Sequence, residues 1–214
     1  MKKLLSALSI ASLLTISGCQ SAYYSAMESV GVHKRDILID RVEEAKESQE
    51  ESQEEFQSAY QRLTTLINFD GGELQNIYDQ LNDDYLASKK SAQDVSNKID
   101  SVEDVAEALF DEWEEELTQY SNAKLKRDSQ KKLTATKRQF AQLLRSMRRS
   151  ESKMEPVLTA LNDNVLYLKH NLNAQAIAAI KGEFSNLKRD IQTLMNEMNL
   201  SIADSNKFIK QMSN

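Results

Sequence analysis

Apolar residues return every three or four positions along most of this chain. Over 34–68, Leu38, Val42, Ala45, Gln49, Ser52, Phe56, Ala59, Leu63 and Leu66 follow an alternating four-three spacing. That is a heptad seam, which keeps one face of a helix against a partner. Gln49 and Ser52 make the middle of the seam polar, which weakens it there and favours a single register. Asp70-Gly71-Gly72 then predicts a stop, because glycine takes up the left-handed conformation that ends many helices.

A second seam starts near Gly72 and uses Leu74, Tyr78, Leu81, Tyr85, Ser88, Ala92, Val95 and Ile99. The short turn before it predicts antiparallel packing on the first helix. Asp100 to Asp104 reads as a new helix start with Ser101 as its N-cap. The seam nevertheless continues in phase through Val102, Ala106, Leu109 and Trp113, so one joined helix with a kink is the live alternative. From about Val102 to Ser150 the charges are sorted, with acids from Glu103 to Glu116 and bases from Lys124 to Arg149. Such an order complements the dipole of a single long helix. Apolar residues are sparse between Tyr120 and Leu133, which predicts a stretch that projects beyond the bundle or packs on one side.

Ser150 to Pro156 forms the next joint, with proline placed where a first helical turn tolerates it. A helix follows to about Leu172 on Leu158, Leu161, Val165, Leu168 and Leu172, and Asn171-Leu172-Asn173 kinks or breaks it. The last helix, about Ala174 to Met212, has the clearest amphipathic stripe, from Ile177 through Ile191 to Ile209. Strand-like alternation is absent. Five glycines and one proline in 214 residues leave few breaks, and good helix formers dominate. The fold class expected is all-α: an elongated antiparallel helical bundle with coiled-coil character.

The first 33 residues follow a different pattern. Met1-Lys2-Lys3 is a short basic start, and Leu4 to Ile16 is an apolar run too short to span a bilayer, which takes about 20 residues. This is the layout of a signal peptide. Ile16-Ser17-Gly18-Cys19 resembles the bacterial lipobox and contains the only cysteine in the chain. The resemblance implies cleavage after Gly18, lipid on the Cys19 sulfur and acylation of the new amino group. Two or more acyl chains anchor a protein stably where one does not. In Gram-negative sorting, Asp after the acylated cysteine favours the inner membrane; Gln20 stands here, so the resemblance points to the periplasmic face of the outer membrane. The expected division is therefore a signal peptide at 1–18, the acylated cysteine and tether at 19–33, and the helical domain at 34–214. In the tether, Tyr23-Tyr24 either meets lipid headgroups or begins the packing of the bundle.

Loss of residues 1–18 removes Lys2 and Lys3 and moves the formal charge from −6 to −8. With its one cysteine committed to lipid, the body has no disulfide, and packing alone must hold it. Catalytic and cofactor chemistry find no support. His33 and His170 lie in no His-x-x-x-His or Glu-x-x-His pair, so no metal site is expected. Gly71-Gly72 lacks the Lys and Ser/Thr of a phosphate loop, and no serine sits in a nucleophile elbow. The chain is read as a non-enzyme without a cofactor. Net acidity and export argue against nucleic acid as a partner for the basic stretch Lys124 to Lys153. That stretch instead meets anionic headgroups or an acidic partner, lies against Glu43 to Glu55 of the first helix, or is simply solvated.

Pro156 to Leu161 and Asn164 to Ile177 resemble the C-terminal region of an uncharacterised family of helical lipoproteins from marine and related Gram-negative bacteria. The resemblance extends over nearly all of the mature chain and implies fold and anchor, but no activity and no functional residue. The function expected is an envelope scaffold or adaptor, held to the membrane by lipid at Cys19 and meeting a protein partner through Arg138, Arg145, Arg148 and Arg149. The alternative is a carrier that holds a lipid or small apolar ligand near Tyr78, Tyr85, Trp113 and Phe140. The pattern leaves the oligomeric state open.

Overall fold

The computed structural model describes residue 24 and residues 27–68 and 74–213. It contains five long helices: α1 Lys34–Ile67, α2 Leu74–Gln119, α3 Ala123–Ser152, α4 Met154–His170 and α5 Ala174–Met212. No strand occurs among the described residues. The expected stop at Asp70-Gly71-Gly72 lies outside them, as do Gly18, Cys19 and Tyr23.

Five helices make four sides of one bundle. α3 and α4 run on in the same direction across Lys153, whose backbone stays helical and whose N–H donates to the Ser150 carbonyl at 3.1 Å. Pro156 falls in the first turn of α4, where no intrahelical hydrogen bond is lost. α1 packs on α2 and α5, and the α3–α4 side packs on the same two helices. Cross-links between neighbours fall in registers whose residue numbers rise on one helix and fall on the other. Examples are Lys34 to Glu112 and Arg62 to Asp84 between α1 and α2, and Trp113 to Ser129 and Arg148 to Asp100 between α2 and α3. The topology is up-down-up-down with short connections, as in antiparallel four-helix bundles.

The core follows the heptad seams. Leu38, Val42, Ala45, Phe56, Ala59, Leu63 and Leu66 of α1 are fully buried, and Gln49 and Ser52 are buried with them. α5 has the expected bounds and buries Ile180, Leu187, Ile191, Leu194, Met198 and Phe208. Its start is held by Asn173, whose side chain accepts from the N–H groups of Gln175 and Ala176. The break before α5 therefore comes from a cap, not from a kinked continuation.

One expectation is corrected and two open alternatives are decided. No helix starts at Ser101: α2 runs unbroken through it, and the Ser101 hydroxyl donates back to the Asn97 carbonyl at 2.9 Å. The seam that stays in phase outweighs a local cap signal. The acidic and basic halves of 102–150 do not share one helix. They are separated at 120–122, where Asn122 caps α3 by accepting from the N–H groups of Lys124 and Leu125. The sorted charges face each other across a hairpin, as in the Lys137 to Glu114 pair at 2.5 Å. Of the alternatives for that basic stretch, contact with Glu43 to Glu55 is not the one realised among the described residues: Lys137 and Arg148 meet acids of α2, and Arg149 meets Glu197 of α5. Glu44 is engaged by Arg41 and Lys98 instead.

Candidate functional site

The four arginines of α3 divide by face. Arg148 turns toward α2, where it reaches Asp100 at 2.7 Å and Glu103 at 2.6 Å, and it also pairs with Glu151 of its own helix at 3.1 Å. Its side chain is 35% exposed. Partial burial works against its charge, but three carboxylates outweigh that and push the guanidinium further toward the charged form. Arg148 thus clamps α3 to α2 and is not free for a partner. Arg138, Arg145 and Arg149 lie one and two helical turns from each other on another face and are exposed. Only Arg149 of the three has an ion pair among the described residues, a loose one to Glu197 of α5 at 3.8 Å. Beside Arg138, a shallow polar groove between α3 and α5 is lined by Gln139, Gln142, Asp204, Lys207 and Gln211.

At the level of the Arg148 clamp the interior is polar. The buried Gln49 amide donates to Ser150 Oγ at 2.8 Å, and Ser150 Oγ donates to the Met147 carbonyl. The hydroxyls of Ser52 and Ser91 lie 3.1 Å apart. Gln49 Oε1 and Ser201 Oγ, both fully buried, have no hydrogen-bond partner among the described residues. Heptad spacing showed the polar positions on α1; the serines of the other helices that meet them, Ser150 and Ser91, were legible only once the register was known.

At the end of the bundle where α1 begins, the chain leading into it is fastened down. Tyr24 is buried in the common core, with Met27 and Val32 packed against it. Lys34 sits between Glu28 and Glu112, 2.9 Å from the latter. Burial pushes the Glu112 carboxyl up, whereas the hydrogen bond from Lys34 holds Glu28 down. Beyond this level the α2–α3 hairpin is the only long helical element among the described residues. Arg35 of α1 and Met212 of α5 share one groove with Glu112, Lys132 and Ala135, so α1 begins and α5 ends at that height. From there α3 extends back to Ala123, about 18 Å at the rise of an α-helix. Trp113 Nε1 donates to Ser129 Oγ at 2.8 Å, and Leu117 and Leu133 are buried, which keeps the hairpin stiff. Every residue from 118 to 128 is exposed. The sparse apolar stretch between Tyr120 and Leu133 is thus a projecting tip.

The four aromatic residues considered for an apolar ligand do not line one cavity. Tyr85 borders a groove with Arg148 and Glu155, while Trp113 lies near the other end of the same helix, about 42 Å along it. Phe140 is edge-on to Phe110 and Phe208 in the core. One hollow was not marked by the aromatic spacing. It lies between α4 and α5, has a volume of about 470 Å³, and has Ala160, Ala179, Ile180 and Leu187 in its wall beside the acids Asp163, Glu183 and Asp190.

Among the described residues no group of three or more His, Cys, Asp or Glu is arranged to hold a metal, and His170 is the exposed last residue of α4. No helix there is long and apolar enough to cross a membrane. Comparison with known proteins shows that a family model described as "Protein of unknown function (DUF2959)" matches residues 23–212. No curated protein and no solved structure matches the chain.

Proposed function

Starting from the fact that the chain belongs to the DUF2959 family, we propose that it is a lipid-anchored scaffold or adaptor of a Gram-negative envelope. It hangs from acylated Cys19 at the periplasmic face of the outer membrane and offers a helix face to a protein partner. The anchor rests on Ile16-Ser17-Gly18-Cys19 at the end of a signal-like apolar run. The observation that carries the adaptor role is the exposed stripe of Arg138, Arg145 and Arg149. The fold spends Arg148 on its own clamp and leaves these three almost unengaged. Arginines spaced on one helix face suit planar, bidentate recognition of carboxylates on a partner.

The test is crosslinking in intact cells, followed by purification of the wild type beside the triple variant Arg138→Glu, Arg145→Glu, Arg149→Glu. One envelope protein held by the wild type should be lost from the variant while the thermal midpoint of the body is unchanged. Retention of that protein by a folded variant would remove this face.

A second reading, a carrier of a small apolar ligand, is favoured by the hollow between α4 and α5, whose volume is that of a ligand pocket. Native mass spectrometry of the purified chain would then show a retained mass, and Ala179→Trp would abolish it. A bare mass from envelope-extracted protein would rule the carrier out.

A further inference from the structure

The tip of the α2–α3 hairpin carries charge that the fold does not explain. Residues 117–133 contain Lys124, Lys126, Arg127, Lys131 and Lys132 against Asp128 alone, a net charge of +4 in a chain whose total is −6. None of the five cations has an ion pair among the described residues. For two of them the place is also unfavourable for the helix itself: Lys124 and Lys126 fall in the first turn of α3, where the aligned peptide dipoles present positive charge and acids are preferred, and that turn holds no acid. Natural sequences break such local rules mainly where function demands it. Two apolar side chains stand exposed among the cations, Tyr120 at 40% and Leu125 at 54%.

The position of the tip decides what it meets. Tyr24 is packed into the body at the end where α1 begins. Only five peptide units separate it from Cys19, a reach of at most about 18 Å for a fully extended chain. Lipid on Cys19 therefore holds that end of the bundle close to the bilayer, and the hairpin is the part that projects there. We propose that the α2–α3 tip is a second membrane contact, in which its cations engage anionic lipid phosphates and Tyr120 and Leu125 enter the headgroup layer. This inference rests on the anchored reading for its orientation, and its chemistry is that of a basic patch with amphipathic side chains at an anionic surface. Two attachments, one covalent and one electrostatic, fix the direction in which the bundle points, where a lipid alone lets it swivel. The Arg138 stripe is thereby held on the side of the body, clear of the membrane.

The experiment uses the full chain extracted from a Gram-negative host and mixed with vesicles of phosphatidylcholine, with or without phosphatidylglycerol. Co-flotation with the neutral vesicles reports the anchor. Hydrogen exchange of the peptide covering 118–133 reports the tip, and on anionic vesicles it should slow by about threefold or more, an effect that added salt removes. The variant carrying Lys124→Glu, Lys126→Glu, Arg127→Glu, Lys131→Glu and Lys132→Glu should float equally well and lose the slowing. Unchanged exchange at the tip on anionic vesicles overturns the proposal, whether or not the protein floats. Slowing without flotation on neutral vesicles keeps the tip and removes the anchor.

Discussion

Arg148 and Lys124 sit on the same helix, and the molecule uses them in opposite ways. Around Arg148 four helices surround a closed interior, and the cation is spent on Asp100, Glu103 and Glu151, tying α3 to α2. Around Lys124 only two of the described helices remain, residues 118 to 128 are all exposed, and the cation has no ion pair among the described residues and stands at the wrong end of a helix dipole. A basic residue is therefore no guide to function by itself. Its meaning depends on whether the register brings a carboxylate opposite it.

The contrast has consequences that can be ranked. Phe140→Ala, which empties the edge-to-face contacts with Phe110 and Phe208, should destabilise the body by about 3 to 5 kcal/mol. Leu125→Ala at the tip should stay within about 0.5 kcal/mol; urea unfolding of the two variants measures the difference directly. If they cost the same, the tip is part of the core and the comparison fails. Arg148→Ala comes next, at about 1 kcal/mol after screening, because it removes a partly exposed clamp and leaves three carboxylates facing one another. Lys124→Glu has the opposite sign: placing an acid at the positive helix end should raise stability by about 0.3 to 1 kcal/mol at low salt, less at high salt. A loss of stability there would mean that Lys124 has a structural role after all.

The smallest effect is on pH dependence. The Glu44 carboxyl is held below its ordinary 4.5, first by the hydrogen bond from Lys98 and also by Arg41, against the opposing effect of burial. A carboxyl lowered by folding adds stability that is fully present above its unfolded value and is lost as pH falls through the folded value. Lys98→Met should therefore flatten the fall in urea midpoint below about pH 4.5, and an unchanged acid limb would show that the pair is spent in solvent.

Most of the architecture could be read from the seams, because burial follows heptad spacing closely. Leu38 through Leu66 are buried as their spacing requires, and the bounds of α5 are those its stripe predicts. What could not be read was the turn at 120–122. It has no glycine or proline, and its one cap, Asn122, competes with a charge order that a single dipole explains equally well. Once the hairpin is known, that order reads as complementarity between two helices. Ser101 failed in the reverse sense, offering a cap that the continuing seam of Val102, Val105 and Ala106 overrode. For the arginines, a stripe on one helix says nothing of which partner lies opposite, so Arg148 could not be told from Arg145 without the register of α2. Tyr24 went into the core, one of the two alternatives open to it from sequence.

Orientation at the membrane, the role of the tip and the exposure of the arginine face all depend on lipid at Cys19. The most direct test is the intact mass and membrane fractionation of the wild type beside Cys19→Ser, expressed in a Gram-negative host. The expected result is a wild type that has lost residues 1–18, gained diacylglyceryl and acyl groups and fractionated with the outer membrane, beside an unacylated and unprocessed mutant. An unmodified Cys19 in the wild type would contradict the account.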